Sequence, residues 1–177
     1  MLTPSERERF DALMLPQLDA AFTLARYLVR DVHDAEDVVQ EAFLRALTHF
    51  GGFRGAGVRE ARAWLLTIVR NAAYTWRQRH KSATRGTEFD EEQHSDAIAG
   101  EHPEAALMRS EAKATLADAL ALLPAEFREV IVLRELQDLT YDEMSDVIGV
   151  PVGTVMSRLS RARKRLHAAL TASNPER

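Results

Sequence analysis

Apolar residues recur at helical spacing along most of this chain, and that period constrains the fold more than any other feature. An α-helix repeats every 3.6 residues, so residues spaced by about 4, 7 and 11 share one face. The first such stripe is Leu18, Phe22, Ala25 and Val29. No stretch alternates apolar and polar residues for the length of a useful β-strand. The sequence therefore predicts an all-α fold.

The first group of predicted helices ends near residue 81. Asp34 is expected to cap a helix over residues 34–47, with an apolar stripe through Val38 and Ala42. The glycine-rich segment 51–57 should break that helix, because glycine favours turns. A further helix is expected over residues 62–79, where Trp64 is predicted to be a core residue.

Residues 82–103 have no apolar period and are rich in acidic side chains. Such a composition is typical of a flexible linker. Helical spacing resumes over 104–123 and stops at Pro124, and a short helix follows. Thr140 and Glu143 have the spacing of a capping box that opens the next helix. The last helix is predicted to run from about residue 152 to 169, so the pattern indicates two small helical domains joined by a linker.

The amino-acid composition excludes several classes of protein. A hydrophobic content of 46% and a charged content of 28% are ordinary for a globular protein. The chain has no cysteine, which excludes disulfides and thiolate ligands and suits a reducing cytoplasm. No run approaches the roughly 20 apolar residues of a membrane span, and the N-terminus lacks the apolar core of a signal peptide. We expect a soluble cytoplasmic protein without metal, cofactor or catalytic site.

The last two predicted helices have the order of a helix-turn-helix. A short helix ends near Ile148, and a Gly149-Val150-Pro151 turn leads into a basic helix. No acidic residue lies between Asp146 and Glu176, although the net charge of the whole chain is −4. The basic residues of that interval are Arg158, Arg161, Arg163, Lys164 and Arg165.

On a helical wheel, one face of the last helix is apolar and the opposite face is polar and basic. The apolar stripe runs through Val155, Leu159, Ala162 and Leu166. Arginine and lysine suit guanine and phosphate, and short hydroxyls can approach base edges. A basic helix can also be merely solvated, but the turn, capping box and stripe together favour duplex DNA binding. The candidate contact residues are Met156, Ser157, Arg158, Ser160, Arg161, Lys164 and Arg165.

The helix over 62–79 mixes aromatic and cationic residues, which is the combination that single-stranded bases and their backbone require. The pattern alone does not separate that role from a core with solvated arginines. It also does not decide whether the acidic helix over 34–47 is a docking surface or an ordinary amphipathic helix. Its side chains at that surface include Asp37, Gln40 and Glu41.

Taken together, these segments resemble bacterial RNA polymerase sigma factors of the extracytoplasmic function type, which have only regions 2 and 4 of the sigma-70 family. The motifs are DAEDVVQEAFLRAL at 34–47, FRG at 53–55, AWLLTIVRNAAYTWRQR at 63–79, and LLPAEFREVIVLRELQDLTYDEMSDVIGVPVGTVMSRLSRARKRL at 122–166. The resemblance covers about residues 10–80 and 104–170. It implies region 2 at 1–81, a linker at 82–103 and region 4 at 104–177.

The resemblance implies a role for each domain of a transcription initiation factor. Asp37, Gln40 and Glu41 would dock on the clamp helices of the polymerase β′ subunit. Region 4 would read the −35 element as duplex and dock on the β flap. The melted −10 strand would be read around the motif asparagine, with Thr75 standing where many members have aspartate. The −10 candidates are Arg70, Asn71, Tyr74 and Arg77.

The partners that the resemblance implies are core RNA polymerase, promoter DNA and an anti-sigma factor, with the sigma factor itself a monomer. Chemistry would belong to the polymerase. Two alternatives remain open from the sequence. A stand-alone helix-turn-helix regulator would not need the 34–79 block, and a sigma mimic that sequesters an anti-sigma factor should have lost the basic side chains of the last helix.

Overall fold

The computed structural model describes residues 2–81 and 103–173, and every regular element in these ranges is helical. This confirms the all-α prediction. Short 3₁₀ turns occupy Leu15–Gln17 and Phe50–Gly52, and a π-helical turn at Val132–Leu136 extends the sixth helix. The helices are α1 (Pro4–Met14), α2 (Leu18–Val29), α3 (Val32–His49), α4 (Val58–His80), α5 (Pro103–Ala121), α6 (Ala125–Ile131), α7 (Tyr141–Ile148) and α8 (Val152–Ser173).

Two helix starts differ from the sequence prediction. The N-cap of α3 is Asp31, whose Oδ1 accepts a hydrogen bond from the Asp34 backbone N–H at 3.0 Å, so the predicted cap at Asp34 is wrong. Helix α1 was not predicted, although Thr3 and Glu6 have the spacing of a capping box. In the structure Thr3 accepts from the Glu6 N–H, and the Glu6 carboxylate accepts from the Thr3 N–H.

The first domain, α1–α4, buries a face of α2 that is rotated from the predicted stripe. Ala25 and Val29 of the predicted stripe are buried, but so are Leu24 and Leu28 outside it, whereas Leu18 is 47% exposed. The predicted stripe therefore marks the edge of the buried face instead of its centre. Small residues on the neighbouring helices let α2, α3 and α4 approach closely: Ala35, Ala42, Ala46, Ala61, Ala72 and Ala73 are all fully buried.

An aromatic cluster closes one end of this domain. The Phe50 ring meets the Phe10 ring edge-on at 5.2 Å between centroids, and Phe53 lies 4.9 Å from Trp64. Trp64 is partly buried and packs against the core, as expected for a structural residue. The glycine-rich segment 51–57 does end α3 as predicted, because the chain leaves the helix through the 3₁₀ turn that contains Gly51 and Gly52.

The second domain, α5–α8, contains the predicted helix-turn-helix. Thr140 and Glu143 form the capping box at the start of α7, and Gly149 ends that helix in the left-handed conformation with φ of 76°. The hydroxyl of Ser145 donates to the Val150 carbonyl at 2.6 Å and ties the turn to α7. Both sequence predictions for this turn are confirmed.

The two domains pack against each other, α6 on α2 and α7 on α4. Arg128 on α6 is almost completely buried at this contact. Its guanidinium donates to the carbonyls of Leu120, in the last turn of α5, and Leu123, just beyond that helix, and also to the Tyr27 carbonyl of α2 at 2.8 Å. Burial lowers the pKa of Arg128 to about 10, aided by the charges of Arg77 and Arg30, so the side chain stays cationic at neutral pH.

The predicted linker over 82–103 lies outside the described residues, apart from its last position. Pro103 is the first residue of α5, one residue before the predicted start of the helix at 104.

Candidate nucleic-acid interface

One face of helix α8 packs against the second domain, and the opposite face is exposed to solvent. Val155, Leu159 and Ala162 are buried against the rest of the second domain, as the helical wheel predicts. The opposite face presents a mixed basic and polar surface. The exposed residues on it are Ser160, Arg161 and Lys164, with Met156 and Arg165 exposed at its flanks, and all five are predicted DNA contacts.

Two other predicted contacts on α8 are only partly accessible. The Ser157 hydroxyl donates to the Thr154 carbonyl at 3.1 Å, so it satisfies the first turn of the helix. Arg158 is half-buried, and its charge acts on Glu129 of α6. Both residues lie at the flank of the exposed face, where they are less accessible than Arg161.

Two arginines on α8 have partners within the second domain. Arg165 lies over the Phe127 ring at 4.7 Å from its centroid, which is the distance of a cation–π contact. Arg163 donates to the Glu135 carboxylate through Nε at 3.1 Å. Arg163 was not among the predicted contacts, and it is held in an ion pair with Glu135 of its own domain.

The predicted −10 residues on α4 are placed very differently from one another. Asn71 is exposed, and its backbone carbonyl accepts from the Thr75 hydroxyl at 2.9 Å. Arg77 is half-buried and donates to the Leu28 carbonyl at 2.8 Å, so it caps the end of α2 within its own domain.

Arg70 and Tyr74 face the second domain. The Arg70 guanidinium binds the Glu129 carboxylate with two hydrogen bonds, Nε to Oε2 at 2.7 Å and Nη2 to Oε1 at 3.2 Å. The Glu129 side chain is fully buried. Arg70 also covers the Tyr74 ring at 4.5 Å. Burial raises the pKa of the Glu129 carboxyl, and the Arg70 guanidinium opposes that rise by stabilising the charged form.

A second ion pair joins the same two domains near the start of α4. Arg59 donates from Nε and Nη2 to the two oxygens of Glu143, each at 3.0 Å. This hydrogen bonding, together with the Thr140 backbone N–H, lowers the pKa of Glu143 to about 2. Beside it, Arg62 donates to the side-chain oxygen of Gln137.

Sequence reasoning missed these inter-domain partners. The residues concerned are Arg59, Arg62, Glu129 and Gln137, and Glu143 was recognised only as a helix cap. Glu129 and Arg70 are 59 positions apart, and no local spacing pairs them. The sequence offered one signal for Glu129, because this acidic residue stands within the apolar run of the short helix α6.

The predicted polymerase-docking residues lie on one side of α3. Asp37 and Gln40 are exposed, and Glu41 is half-buried in an ion pair with Arg45 one turn later. Leu44 follows them on the same side and is 59% exposed. Leu44 was not among the predicted docking residues, although an apolar residue four positions after Gln40 and seven after Asp37 on a polar face is a visible signal in the sequence.

The residues that the structure describes hold neither a candidate metal cluster nor a helix that could span a membrane. Within residues 2–81 and 103–173, no group of three or more His, Cys, Asp or Glu residues could hold a metal ion. Over the same residues, no helix is both long enough and apolar enough to cross a membrane.

Comparison with known proteins identifies both domains. Residues 16–83 match the family described as Sigma-70 region 2, and residues 113–166 match Sigma-70, region 4. The chain is 33% identical to the RNA polymerase sigma-H factor of Pseudomonas aeruginosa, over 93% of this chain and 88% of that protein. It is 31% identical to the ECF RNA polymerase sigma factor SigW of Bacillus subtilis, over 86% of this chain and 83% of that protein.

A solved structure agrees with these relatives in fold. The sigma factor RpoE of Bartonella quintana, crystallised in complex with the anti-sigma factor NepR, superposes with a TM-score of 0.71 at 28% identity. The match covers 93% of this chain and 98% of that one. With both sigma regions in order and full-length relatives of this kind, the chain belongs to the extracytoplasmic function type of the sigma-70 family: it is an alternative sigma factor that directs RNA polymerase, not an enzyme.

Proposed function

We propose that this sigma factor reads the −35 element as duplex DNA through the exposed face of α8. The observation that carries the proposal is the combination of a buried apolar stripe and an acid-free exposed face on the second helix of a helix-turn-helix. Arg161 and Ser160 lie in the middle of that face, where base edges are in reach. Lys164 and Arg165, one turn further, suit phosphate contacts. Met156 extends the face towards the helix start.

The melted −10 strand is read from the first domain, with Asn71 as the central residue. Opening duplex DNA costs about 1.4 kcal/mol per base-pair step, and capture of an extruded base offsets part of that cost. Asn71 is exposed, and its amide offers both donors and an acceptor to a base edge. Arg70, Tyr74 and Arg77 flank it and supply cationic and aromatic surface.

Core polymerase is held by the side of α3 that carries Asp37, Gln40 and Glu41, which docks on the β′ clamp helices. An exposed leucine among polar residues, Leu44 here, is typical of a contact surface. The second domain docks on the β flap. In domain terms, residues 1–81 act as region 2, 82–103 as the linker and 104–177 as region 4.

An anti-sigma factor is proposed as a further partner, because a relative of the same fold is held in such a complex. The protein works in the cytoplasm as a monomer, without a metal or cofactor. These assignments follow the family, and the exposed faces of α3 and α8 are both available for partner binding in this structure.

The decisive experiment mixes the purified protein with bacterial core RNA polymerase and fragments of its own upstream DNA. We expect stable association and transcripts from defined promoter positions. Association without promoter-specific transcripts would contradict the DNA-reading role. Duplex binding without association would contradict the polymerase-docking role.

A further inference from the structure

Met156 differs in chemistry from the residues around it on the exposed side of α8. It is 51% exposed and lies one turn before Ser160. No acidic residue lies between Asp146 and Glu176, so the surface around it is polar and basic. A single exposed apolar side chain needs no explanation on an ordinary protein surface. On a helix proposed to enter the major groove, it limits which base edge can lie opposite.

The position of Met156 along α8 is one where a recognition helix meets base edges. In a helix-turn-helix, the N-terminal residues of the second helix contact the bases, while the first helix crosses the backbone. Met156 is near that end, because α8 begins at Val152. Gly153, one turn before Met156, is exposed and has open space where a side chain would stand. Duplex DNA can therefore approach this part of the helix closely.

The start of α8 has no cation that could read a base in place of Met156. The first basic residue of the helix is Arg158, which is half-buried and whose charge acts on Glu129. The hydroxyl of Ser157 donates to the Thr154 carbonyl at 3.1 Å, so its proton is already used within the helix. Base recognition at the start of α8 therefore depends on the apolar side chain of Met156.

Thymine is the base that presents an apolar group in the major groove. Its edge carries a C5-methyl group beside the O4 acceptor, whereas adenine, guanine and cytosine present nitrogen and oxygen groups. The methionine sulfur is at most a weak acceptor and has no proton to donate. A polar base edge facing it would lose water without gaining a hydrogen bond, whereas a methyl group gains from burial.

We propose that Met156 makes the −35 element specific for a thymine, whose C5-methyl group packs against the methionine side chain near the start of α8. The inference rests on the proposed function, because it requires this face of α8 to read duplex DNA. It adds the identity of one base to that function. Arg161, five positions later, has the fork that suits guanine. The two residues therefore read different chemical features of the same element.

Replacing thymine by deoxyuridine tests the contact, because uracil lacks only the methyl group. The probe is promoter DNA from the protein's own upstream region, with each thymine pair of the protected −35 element changed in turn. Its affinity is measured for the complex of the full-length protein with core polymerase. Burying one methyl group is worth roughly fourfold in affinity. We expect a loss of about that size at one thymine, and no loss at any thymine would overturn the proposal.

Met156→Ala assigns the methyl contact to this residue. The variant should bind the natural promoter about as weakly as the wild-type protein binds the deoxyuridine promoter, and deoxyuridine should cause no further loss. Arg161→Ala, on the same helix, should weaken binding but keep the deoxyuridine effect. Urea unfolding should show little change for Met156→Ala, because the side chain is 51% exposed. If Met156→Ala keeps the full deoxyuridine effect at every thymine, the proposal is wrong.

Met156→Arg tests the specificity directly. An arginine at this position would present two donors that fit O6 and N7 of guanine, so the preferred base opposite it should change from thymine to guanine. Met156→Leu should retain the preference for thymine, because it remains apolar. An unchanged thymine preference in Met156→Arg would contradict the proposal. If the wild-type complex does not distinguish its −35 element from unrelated duplex, the proposed function fails; if it does, but no thymine depends on Met156, only this inference fails.

Discussion

The two surfaces proposed to read DNA differ in how the free protein holds them. On α8, Arg161 and Lys164 project from a helix whose other face is fixed by Leu159 and Ala162. On α4, Arg70 is already bound to a carboxylate of the other domain. If both surfaces act as proposed, the face of α8 that reads duplex DNA is already accessible in this structure, whereas Arg70 on α4 would have to leave Glu129 before the same donors could bind DNA.

The largest effect is expected from truncating a buried side chain that holds α8 against the second domain. Leu159 is buried to 1% exposure, and truncating such a leucine typically costs about 2–5 kcal/mol of unfolding free energy. We expect Leu159→Ala to destabilise the second domain and to abolish −35 binding with it. Urea unfolding measures the loss, and Leu44→Ala, at a position 59% exposed, is the matched control that should change stability little. Similar losses for both variants would contradict this account of α8.

The next largest effect is expected from removing a side chain that is proposed to read bases directly in the −35 duplex. Arg161→Ala should weaken −35 duplex binding by about 1–3 kcal/mol if the side chain contacts a base. Arg163 lies two positions away but is paired with Glu135, so Arg163→Ala should reduce binding much less. Binding titrations at fixed salt concentration compare the two variants. An unchanged footprint and transcription rate for Arg161→Ala would rule out its role in reading.

On the α4 side, Asn71→Ala should impair strand opening more than polymerase binding. The loss of one base-edge hydrogen bond is worth about 1 kcal/mol, or roughly fivefold in open-complex formation. Permanganate footprinting measures the open complex, and a core-polymerase binding assay measures docking. Equal loss in both assays, or loss in neither, would count against Asn71 as the strand reader.

The smallest effect concerns the ion pair at the edge of the domain contact. Because Arg59 lowers the pKa of Glu143 to about 2, the charged carboxylate is favoured in the folded protein. Its contribution to stability is present above the ordinary glutamate pKa of about 4.5 and is lost as the pH falls towards 2. Arg59→Ala should therefore reduce the acid sensitivity of unfolding over that range.

Denaturant unfolding at a series of pH values tests this. Arg7→Ala removes another exposed arginine, whose partner Asp11 lies 3.8 Å away on the same helix, and serves as the control. If Arg59→Ala and wild type lose stability in parallel between pH 4.5 and 2, the pair does not stabilise the contact between the two domains.

Much of the fold could be predicted because its causes are local. The Thr140 capping box, the left-handed Gly149 and the buried stripe of α8 depend on residues a few positions apart, and all three are present. The helical wheel that predicts the buried stripe of α8 also predicts its exposed face. The family could also be predicted from the sequence, because the motifs of the family are contiguous.

What could not be predicted depends on residues distant in sequence. The burial of Glu129 against Arg70 arises only when α6 meets α4, and no spacing rule relates positions 59 apart. The rotation of the buried face of α2 has the same origin, since α3, α4 and α6 all pack around that helix. Local periodicity finds an amphipathic helix more reliably than it finds the centre of its buried face.

Arg128 determines what the second domain loses when the domains part. Of its acceptors, the carbonyls of Leu120, Ala121 and Leu123 belong to its own domain and only Tyr27 belongs to the other. Separation therefore costs this side chain a single hydrogen bond, and the remaining three keep its guanidinium oriented towards the vacated carbonyl. Loss of the Tyr27 contact would therefore leave the Arg128 side chain held by three carbonyls of its own domain.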